Sequence, residues 1–367
     1  MRALRRIVLE EAVIGALFLL GSWYVYYLLA VWGMMDHISD GVLRTYVTGP
    51  AIHVEMVMGS LCLGILLAAA NHISEVPAFR RKPVGQIILL KGGLYLASVV
   101  LVAVLINVAF LLFLFSLEEI RAIFAAMSPR LLTSLGGMMV LSFLSLAFLL
   151  EVRRKVGPGN LWALLTGRYH RPREEARLFL FLDLKGSTSI AEQLGHARYS
   201  QFLRQCFQDL TEFVFDSRAQ IYQFVGDEVV LTWMGKDPHA ERRGVGMFFA
   251  FKDRLAERRE WYKSTYGFVP EFRGGMEEGL VTATEVGDIK REIAFHGDAL
   301  NTASRLLELC PKYESSILVS GRVQEIIARE KDWSTQLKGT IALRGKSQSV
   351  SVHGVEQAPV PMDGIKN

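Results

Sequence analysis

The sequence predicts a protein in two parts, an all-α membrane bundle of four helices followed by a domain of the α+β class. Three observations support this division. Of the 367 residues, 51% are hydrophobic, and the mean hydropathy of +0.26 is high for a soluble globular chain. Apolar runs long enough to cross a bilayer lie within residues 1–150. Beyond residue 150, short β-rich runs alternate with helical patterns, which is typical of a folded α+β domain.

Four apolar runs within residues 1–150 are predicted to cross the membrane. The runs 12–35, 92–117 and 131–150 contain no charged residue, and 50–70 contains only His53 and Glu55 near its start. Each meets the roughly 20 residues that a helix needs to span the hydrocarbon core. The first run is too long for a signal-peptide core and has no small-residue cleavage site, so we expect it to be retained.

The cations that flank these runs predict the orientation of the bundle. They concentrate before the first run, between the second and third, and after the fourth: Arg2, Arg5, Arg6; Arg80, Arg81, Lys82, Lys91; Arg153, Arg154, Lys155. The segments 36–49 and 118–130 are poor in cations. In membrane proteins, the loops on the cytoplasmic side carry an excess of lysine and arginine. We therefore expect both termini in the cytoplasm.

His53 and Glu55 are ionisable residues in a membrane run, and such residues are candidates for function. They could bind a ligand, or a haem together with His37 or His72. They could equally lie at the membrane interface where the helix enters. The sequence does not indicate what signal, if any, the membrane part detects.

Composition excludes several classes of protein. The net charge of +4, without a Lys/Arg stripe interleaved with aromatic residues, argues against nucleic acid as a partner. Three cysteines without C-x-x-C spacing (Cys62, Cys206 and Cys310) indicate a reduced compartment and neither a disulfide framework nor a zinc site. A transporter or channel formed by the four helices alone would leave the second half of the chain without a role.

Residues 151–176 are predicted to link the membrane part, residues 1–150, to a catalytic domain over 177–357, and 358–367 to form a flexible tail. Glycine and proline break the pattern at 156–160. The linker is either a passive tether or a transducer of signals. Beyond it we predict strands at 177–184, 219–225, 229–234, 271–279, 280–286, 292–295, 317–320, 336–343 and 349–355. Helices are predicted from about 187 to 215, over 239–266 and 298–313, and from 321 to 329, on a mostly antiparallel sheet.

Two aspartates carry the chemistry predicted for this domain. Asp183 ends a buried strand, where a charge is costly unless it is paired or binds metal. Asp227 lies at the tip of a hairpin, 226–228, that can pack beside that strand. Two such carboxylates, with substrate phosphates, suit two Mg²⁺ or Mn²⁺ ions. Between them in the sequence, the turn of Lys185, Gly186, Ser187 and Thr188 offers backbone N–H groups and a helix N-terminus to a triphosphate.

Three segments around these residues resemble the class III adenylate/guanylate cyclase family, in its bacterial membrane-anchored branch. They are Phe-Leu-Asp-Leu-Lys-Gly-Ser-Thr at 181–188, Phe-Val-Gly-Asp at 224–227, and Gly-Asp-Ala-Leu-Asn-Thr-Ala-Ser-Arg at 297–305. The resemblance covers about 177–356. It implies a ferredoxin-like palm fold, a homodimer with active sites at the interface, and a location in a bacterial inner membrane.

The resemblance also implies roles for individual residues. Asp183, Asp227 and the backbone of Leu184 would bind metal. From the other subunit, Asn301 and Arg305 would orient the ribose and stabilise the pentavalent phosphate. Four residues apart on one helix, they share a face. Arg344 or Lys346 would meet the terminal phosphates, unless it is only a solvated hairpin cation.

Base recognition departs from the family pattern. The positions that usually read adenine hold Gln223 and Ala294, and Gln223 matches neither the adenylate nor the guanylate set. Glutamine can donate or accept, and adenylate cyclases are the commoner bacterial form, so we expect ATP as the substrate. The alternatives are a guanylate cyclase using GTP, a diguanylate cyclase suggested by Gly-Asp-Glu at 226–228, and a silent nucleotide-binding receptor module.

Overall fold

The computed structural model describes residues 2–31, 41–73, 84–113, 115–156, 163, 166–289, 291–342 and 349–358. The chain divides into two compact units, Met1–Val156 and Gly157–Asn367. The first is helical, and the second combines one sheet with helices. The predicted fold class is confirmed in both units. The Gly157 boundary lies six residues beyond the predicted start of the linker at 151.

Among the described residues of the first unit, four helices are long and apolar enough to cross a membrane, with candidate spans Val8–Leu29, Pro50–His72, Gly92–Phe110 and Pro129–Arg153. The helices that carry them are α1 (Arg2–Tyr26), continued by a π-helical turn at Tyr27–Val31, α3 (Pro50–Ile73), α4 (Val84–Phe113) and α6 (Pro129–Val156). Helices α1 and α3 pack closely. A side chain at Gly64 would lie 2.6 Å from the backbone oxygen of Ala12, so glycine permits this approach.

Two short helices, α2 (Gly41–Thr48) and α5 (Leu117–Ala126), lie between the candidate spans. They fall in or at the start of the cation-poor segments 36–49 and 118–130, for which we predicted no helix. The predicted span 92–117 is therefore too long at its end. Ser116 accepts the backbone N–H of Glu119, and the Glu119 carboxylate accepts the backbone N–H of Ser116. This capping box starts a new helix at Leu117. Residues 32–35, the end of the first predicted run, lie outside the described residues.

The second unit is built on an eight-stranded sheet in which β2–β3–β1–β4–β6–β8–β7 are neighbours in that order and β5 pairs with β4. All pairings are antiparallel except β4 with β6. The strands are β1 (Arg173–Leu184), β2 (Gln220–Val225), β3 (Glu228–Met234), β4 (Phe272–Val286), β5 (Glu292–His296), β6 (Ile317–Ser320), β7 (Trp333–Ala342) and β8 (Ser349–Gln357). The mostly antiparallel sheet predicted from the sequence is confirmed.

Helices cover both faces of this sheet. They are α7 (Ser187–Asp216), α8 (Ala240–Glu257), α9 (Arg259–Tyr266), α10 (Asp298–Leu309) and α11 (Gly321–Ile327). The larger core lies between the sheet and helices α7 and α8, and includes Phe202 and Phe248. A smaller core lies under α10, where Ala303 packs with Phe179. Burial of these apolar faces holds the layers together.

Helix α10 lies very close to β4 because β4 presents glycine to it. A side chain at Gly275 would lie 2.2 Å from the backbone oxygen of Ala303. Any residue other than glycine would push the helix away from the sheet. The position of α10 matters because this helix carries Asn301 and Arg305.

Several predicted boundaries are wrong. Strand β1 begins at Arg173, inside the predicted linker, because residues 173–176 pair with 280–283 of β4. The strands predicted at 271–279 and 280–286 are one strand, since its pairing with β1 continues through Gly279. The helix predicted over 239–266 is broken at Arg258, where φ is −93° and ψ is 12°. The helix predicted to end at 313 ends at Leu309.

Candidate active site

The structure brings the two predicted metal ligands together. Asp183 is the penultimate residue of β1, and Asp227 lies in the two-residue turn between β2 and β3. Strand β3 pairs with β1, so the turn lies beside the end of β1. The Asp183 and Asp227 carboxyl groups lie close enough for the charge of Asp227 to affect the pKa of Asp183.

The negative charges of the Asp183 and Asp227 carboxylates repel each other. Burial, and then the nearby Asp227 carboxylate, raise the pKa of Asp183 to about 6. Burial and the same two aspartates raise the pKa of Glu228. Burial and Asp227 also raise the pKa of the Tyr199 phenol on α7. A cation bound between the aspartates would relieve this repulsion, so the donor set fits a divalent metal ion.

The turn after Asp183 forms the start of α7. Gly186 has a φ of +72° and directly precedes Ser187, the first residue of the helix. Such a left-handed conformation favours glycine. The first N–H groups of a helix have no partners within it, so this turn presents donors suited to phosphate. Lys185 is held differently, because its Nζ forms an ion pair at 2.9 Å with Glu271.

Arg273 is a residue of the site that sequence reasoning missed. It lies directly opposite Asp183 in the antiparallel pairing of β1 and β4, and its charge lowers the pKa of Asp183, against the effects that raise it. Only the pairing of two strands about 90 residues apart reveals this neighbour. The local pattern around Arg273 carries no such signal.

Asn301 and Arg305 lie on the exposed face of α10, away from the buried face that packs on β4. The Arg305 guanidinium donates to Glu308 at 2.9 Å, one turn along the same helix. Among the described residues, no hydrogen bond or ion pair joins Asn301 or Arg305 to the aspartates. Within one chain, the structure therefore does not assemble the complete predicted set. Arg344 and Lys346 lie outside the described residues.

The two predicted base-reading positions lie on strands that touch. Gln223 is exposed on β2, and Ala294 is partly buried on β5. Their neighbours make the contact: the backbone N–H of Phe295 donates to the Tyr222 hydroxyl at 3.4 Å, and the two rings lie 5.0 Å apart. This contact holds the two strands that carry Gln223 and Ala294 near each other.

A buried arginine supports the back of this region. Arg177 is only 2% exposed, and its Nε donates to Glu175 at 2.6 Å. Its two terminal nitrogens donate to Gln220 at 3.0 Å and to the hydroxyl of Tyr169 at 3.3 Å. Tyr169 belongs to the predicted linker, which therefore has contacts of its own with the catalytic domain.

In the first unit, His53 and Glu55, the two ionisable residues predicted as candidates for function, both contact other side chains. The Tyr24 hydroxyl lies 3.0 Å from Nδ1 of His53, and the two rings stack. Glu55 accepts a hydrogen bond from Tyr46. His72 lies 19 residues after His53 on α3, which at the rise of an α-helix is about 28 Å. These two histidines cannot share one haem. His37 lies outside the described residues.

Comparison with known proteins agrees with the family resemblance found in the sequence. The family model for the "Adenylate and Guanylate cyclase catalytic domain" matches residues 170–356. Adenylate cyclase 2 of Rhizobium meliloti is 32% identical over 218 residues, which span 59% of this chain and 60% of that protein. Adenylate cyclase 1 of the same organism is 29% identical over 182 residues, spanning 48% of this chain and 27% of that protein.

A solved structure resembles this chain in fold. A bacterial light-regulated adenylyl cyclase matches with a TM-score of 0.50 at 16% identity, over 60% of this chain and 65% of that one. The adenylyl cyclase CyaB of P. aeruginosa is 22% identical with a TM-score of 0.47, over 52% of this chain and 97% of that one. At these identities the likeness concerns the fold alone.

Proposed function

We propose that this chain, which belongs to the class III adenylate/guanylate cyclase family, is a membrane-anchored adenylate cyclase. It would convert ATP to 3′,5′-cyclic AMP and pyrophosphate. The observation that carries the proposal is the meeting of Asp183 and Asp227 beside the Gly186 turn. Two relatives named adenylate cyclase support ATP as the nucleotide.

In this proposal Asp183, Asp227 and the backbone carbonyl of Leu184 hold two Mg²⁺ or Mn²⁺ ions. When bound, such ions lower the pKa of the ribose 3′-hydroxyl and offset charge on the leaving pyrophosphate. The protein's part is to supply two carboxylates side by side, one at the end of β1 and one in the turn between β2 and β3. Their ligand function requires both groups to be ionised.

The reaction needs no covalent intermediate with the protein. The 3′-hydroxyl oxygen forms a bond to the α-phosphorus of the same nucleotide, the bond from that phosphorus to the β-phosphate bridging oxygen breaks, and the hydroxyl proton is lost to solvent. Backbone N–H groups of Gly186, Ser187 and Thr188 would bind the triphosphate, with Lys185 at the edge of that turn. Arg273 adds positive charge beside Asp183.

Asn301 and Arg305 are proposed to act on the partner's substrate. Both side chains are exposed on α10 and point away from the sheet of their own subunit. A homodimer with sites at the interface would place them over the aspartates of the other chain. There Asn301 would orient the ribose, and Arg305 would stabilise charge on the transferring phosphoryl group. Arg344 or Lys346 would meet the terminal phosphates.

The four apolar helices support anchoring in a membrane. We place the catalytic unit and both termini in the cytoplasm of a bacterium, on the cation distribution of the sequence. The membrane bundle would hold two chains in one plane and so favour their pairing. The linker at 151–176 would then connect any event in the membrane to the catalytic domain.

Product analysis tests the proposed activity. Full-length protein in detergent is incubated with Mn²⁺ and either ATP or GTP, and the products are identified by mass spectrometry. Cyclic AMP with pyrophosphate is expected as the main outcome with ATP. Cyclic GMP as the main product would establish the guanylate cyclase alternative, and a cyclic dinucleotide from GTP the diguanylate cyclase alternative. Nucleotide binding without any product would indicate a silent receptor module.

A further inference from the structure

The second unit has a concave region beside the proposed active site, and most of its lining has no role in the proposed reaction. It is a cavity of about 600 Å³, within the size range of small-molecule sites. The C-terminal part of α8, the start of α9, the segment that enters β4 and the turn after α10 surround it. Neither Asp183 nor Asp227 lines this cavity.

Positive charge dominates its lining. Four cationic side chains come from four different segments, and two acidic side chains accompany them: Lys185, Lys252, Arg259, Arg273; Glu271, Glu314. Four positive and two negative charges leave an excess of +2. Cations that line a concave surface focus a positive potential within it. The preferred ligand is therefore an anion.

Three of these cations have no ion-pair partner in the described part of the chain, and of these Arg273 faces Asp183 across the sheet. Lys185 is paired with Glu271, whereas neither Lys252 nor Arg259 has a described carboxylate partner. Both side chains are exposed. Arginine and lysine in this setting bind phosphate well, arginine through two parallel N–H donors.

The rest of the lining is apolar and includes Phe251, Leu255, Pro270 and Pro311. A compact inorganic ion would leave this wall uncovered. A phosphomonoester carries a charge of about −1.5 to −2 near pH 7, which balances the excess of +2. An apolar group attached to that phosphate would cover the wall and gain from its burial.

The cavity adjoins the proposed active site through two residues. Arg273 lies opposite Asp183 in the sheet, and the backbone N–H of Lys185 donates to the backbone oxygen of Glu271 at 2.9 Å. On the far wall, Glu314 has a φ of +49°, a strained conformation for a residue other than glycine. The turn that contains Glu314 thus forms one side of the lining, and the start of β4, next to the end of β1, forms the other.

We propose that this cavity is a binding site for an organic phosphomonoester with an apolar body. The phosphate would bind between Lys252 and Arg259, and the body would lie on the apolar wall. The proposal concerns binding alone and does not depend on nucleotide turnover.

Calorimetric titration of phenyl phosphate into the full-length protein in detergent, with EDTA present, tests this site. We expect saturable binding of one molecule per chain, tighter than that of inorganic phosphate because only phenyl phosphate covers the apolar wall. The double variant Lys252→Gln/Arg259→Gln should bind at least about tenfold more weakly, a loss of about 1.4 kcal/mol. Arg254→Gln is the control. Arg254 lies on α8 with Lys252 and pairs with Glu212, but it does not line the cavity.

Three results would overturn the proposal: no saturable binding at millimolar phenyl phosphate, equal affinity for inorganic phosphate, or unchanged binding by the double variant. The last would show that the anion does not bind at Lys252 and Arg259. Since both substituted side chains are exposed, the double variant should keep the wild-type melting temperature. If it does not, the single variants Lys252→Gln and Arg259→Gln supply the same comparison.

Discussion

The guanidinium of Arg177 lies 4.4 Å from the centre of the Phe295 ring. Phe295 follows Ala294, one of the two candidate base-reading residues, on β5. The contact joins the first strand of the catalytic domain to the strand at the candidate base site. It is a cation–π contact in a buried setting, where desolvation strengthens such interactions.

Loss of the carboxylate that neutralises Arg177 should destabilise the domain. Glu175→Gln would leave a buried guanidinium without its charged partner, which costs about 3–5 kcal/mol. Urea unfolding of the full-length protein measures this difference. The neighbouring Glu174→Gln, at an exposed position, is the control and should change stability by less than about 0.5 kcal/mol. Equal stability of the two variants would show that Arg177 is neutralised by another group.

Removal of either aspartate should abolish turnover and leave the protein folded. Asp183→Ala and Asp227→Ala each delete a ligand of the proposed metal pair, and loss of metal charge stabilisation costs several kcal/mol in the transition state. We expect less than about a tenth of wild-type activity at saturating Mn²⁺. Glu192→Ala, an exposed carboxylate on α7, should remain fully active. Higher residual activity in either aspartate variant would contradict the two-metal assignment.

Two inactive variants should restore each other in mixed dimers. If each site takes Asp183 from one chain and Arg305 from the other, a dimer of Asp183→Ala with Arg305→Ala has one intact site. Random pairing makes about half of the dimers mixed, so activity should recover to about a quarter of wild type. Membranes that contain both variants are assayed beside membranes that contain each alone. No recovery despite demonstrated mixed dimers would mean that each site is built within one chain.

Selection between ATP and GTP should be weak in the wild type and stronger in a double variant. Ala294 has no polar group to read a base edge, and discrimination depends on buried polar groups that the wrong base leaves unpaired. Gln223→Lys/Ala294→Asp should therefore raise the ratio of kcat/KM for ATP over GTP. Competition assays with both nucleotides measure the ratio. If the wild type already rejects GTP by ~10⁴, another residue reads the base.

Glu277 should make the stability of the domain depend on pH. This side chain is 7% exposed on β4, and burial raises its pKa to about 7. In the unfolded chain the value is about 4.3. Between these values the folded state holds more protons than the unfolded state, so stability falls as pH rises through this window and levels off above about 7.

Glu277→Gln removes that titration, so its melting temperature should fall less between pH 5 and pH 8 than that of the wild type. Thermal melts across this range give the comparison. Glu260→Gln, exposed on α9, is expected to follow the wild-type profile. A Glu277→Gln profile parallel to the wild type would assign the dependence to other buried acids, such as Glu241, whose pKa burial also raises.

The sequence by itself determined the class of each half, and it predicted the candidate site residues that have local sequence patterns. The apolar runs are long because a helix must match the thickness of the bilayer, so four candidate spans could be read directly. The positions of Asp183 and Asp227 in the fold could be predicted for a similar reason, because a strand end and a tight turn have recognisable local sequence patterns. The sharing of one helix face by Asn301 and Arg305 likewise follows from helical periodicity.

The tertiary structure alone decided which distant residues meet. The pairing of β1 with β4 places Arg273 against Asp183, and the folded linker places Tyr169 on Arg177. Neither contact leaves a local pattern, because strand register depends on the packing of whole sheet faces. Local patterns also failed where two tendencies compete: helix α5 starts at its Ser116 cap although the apolar run continues to Leu117, and β4 runs through Gly279 because its partner strand holds it. The cations of the 600 Å³ cavity come together for the same reason, from segments that touch only in the folded chain.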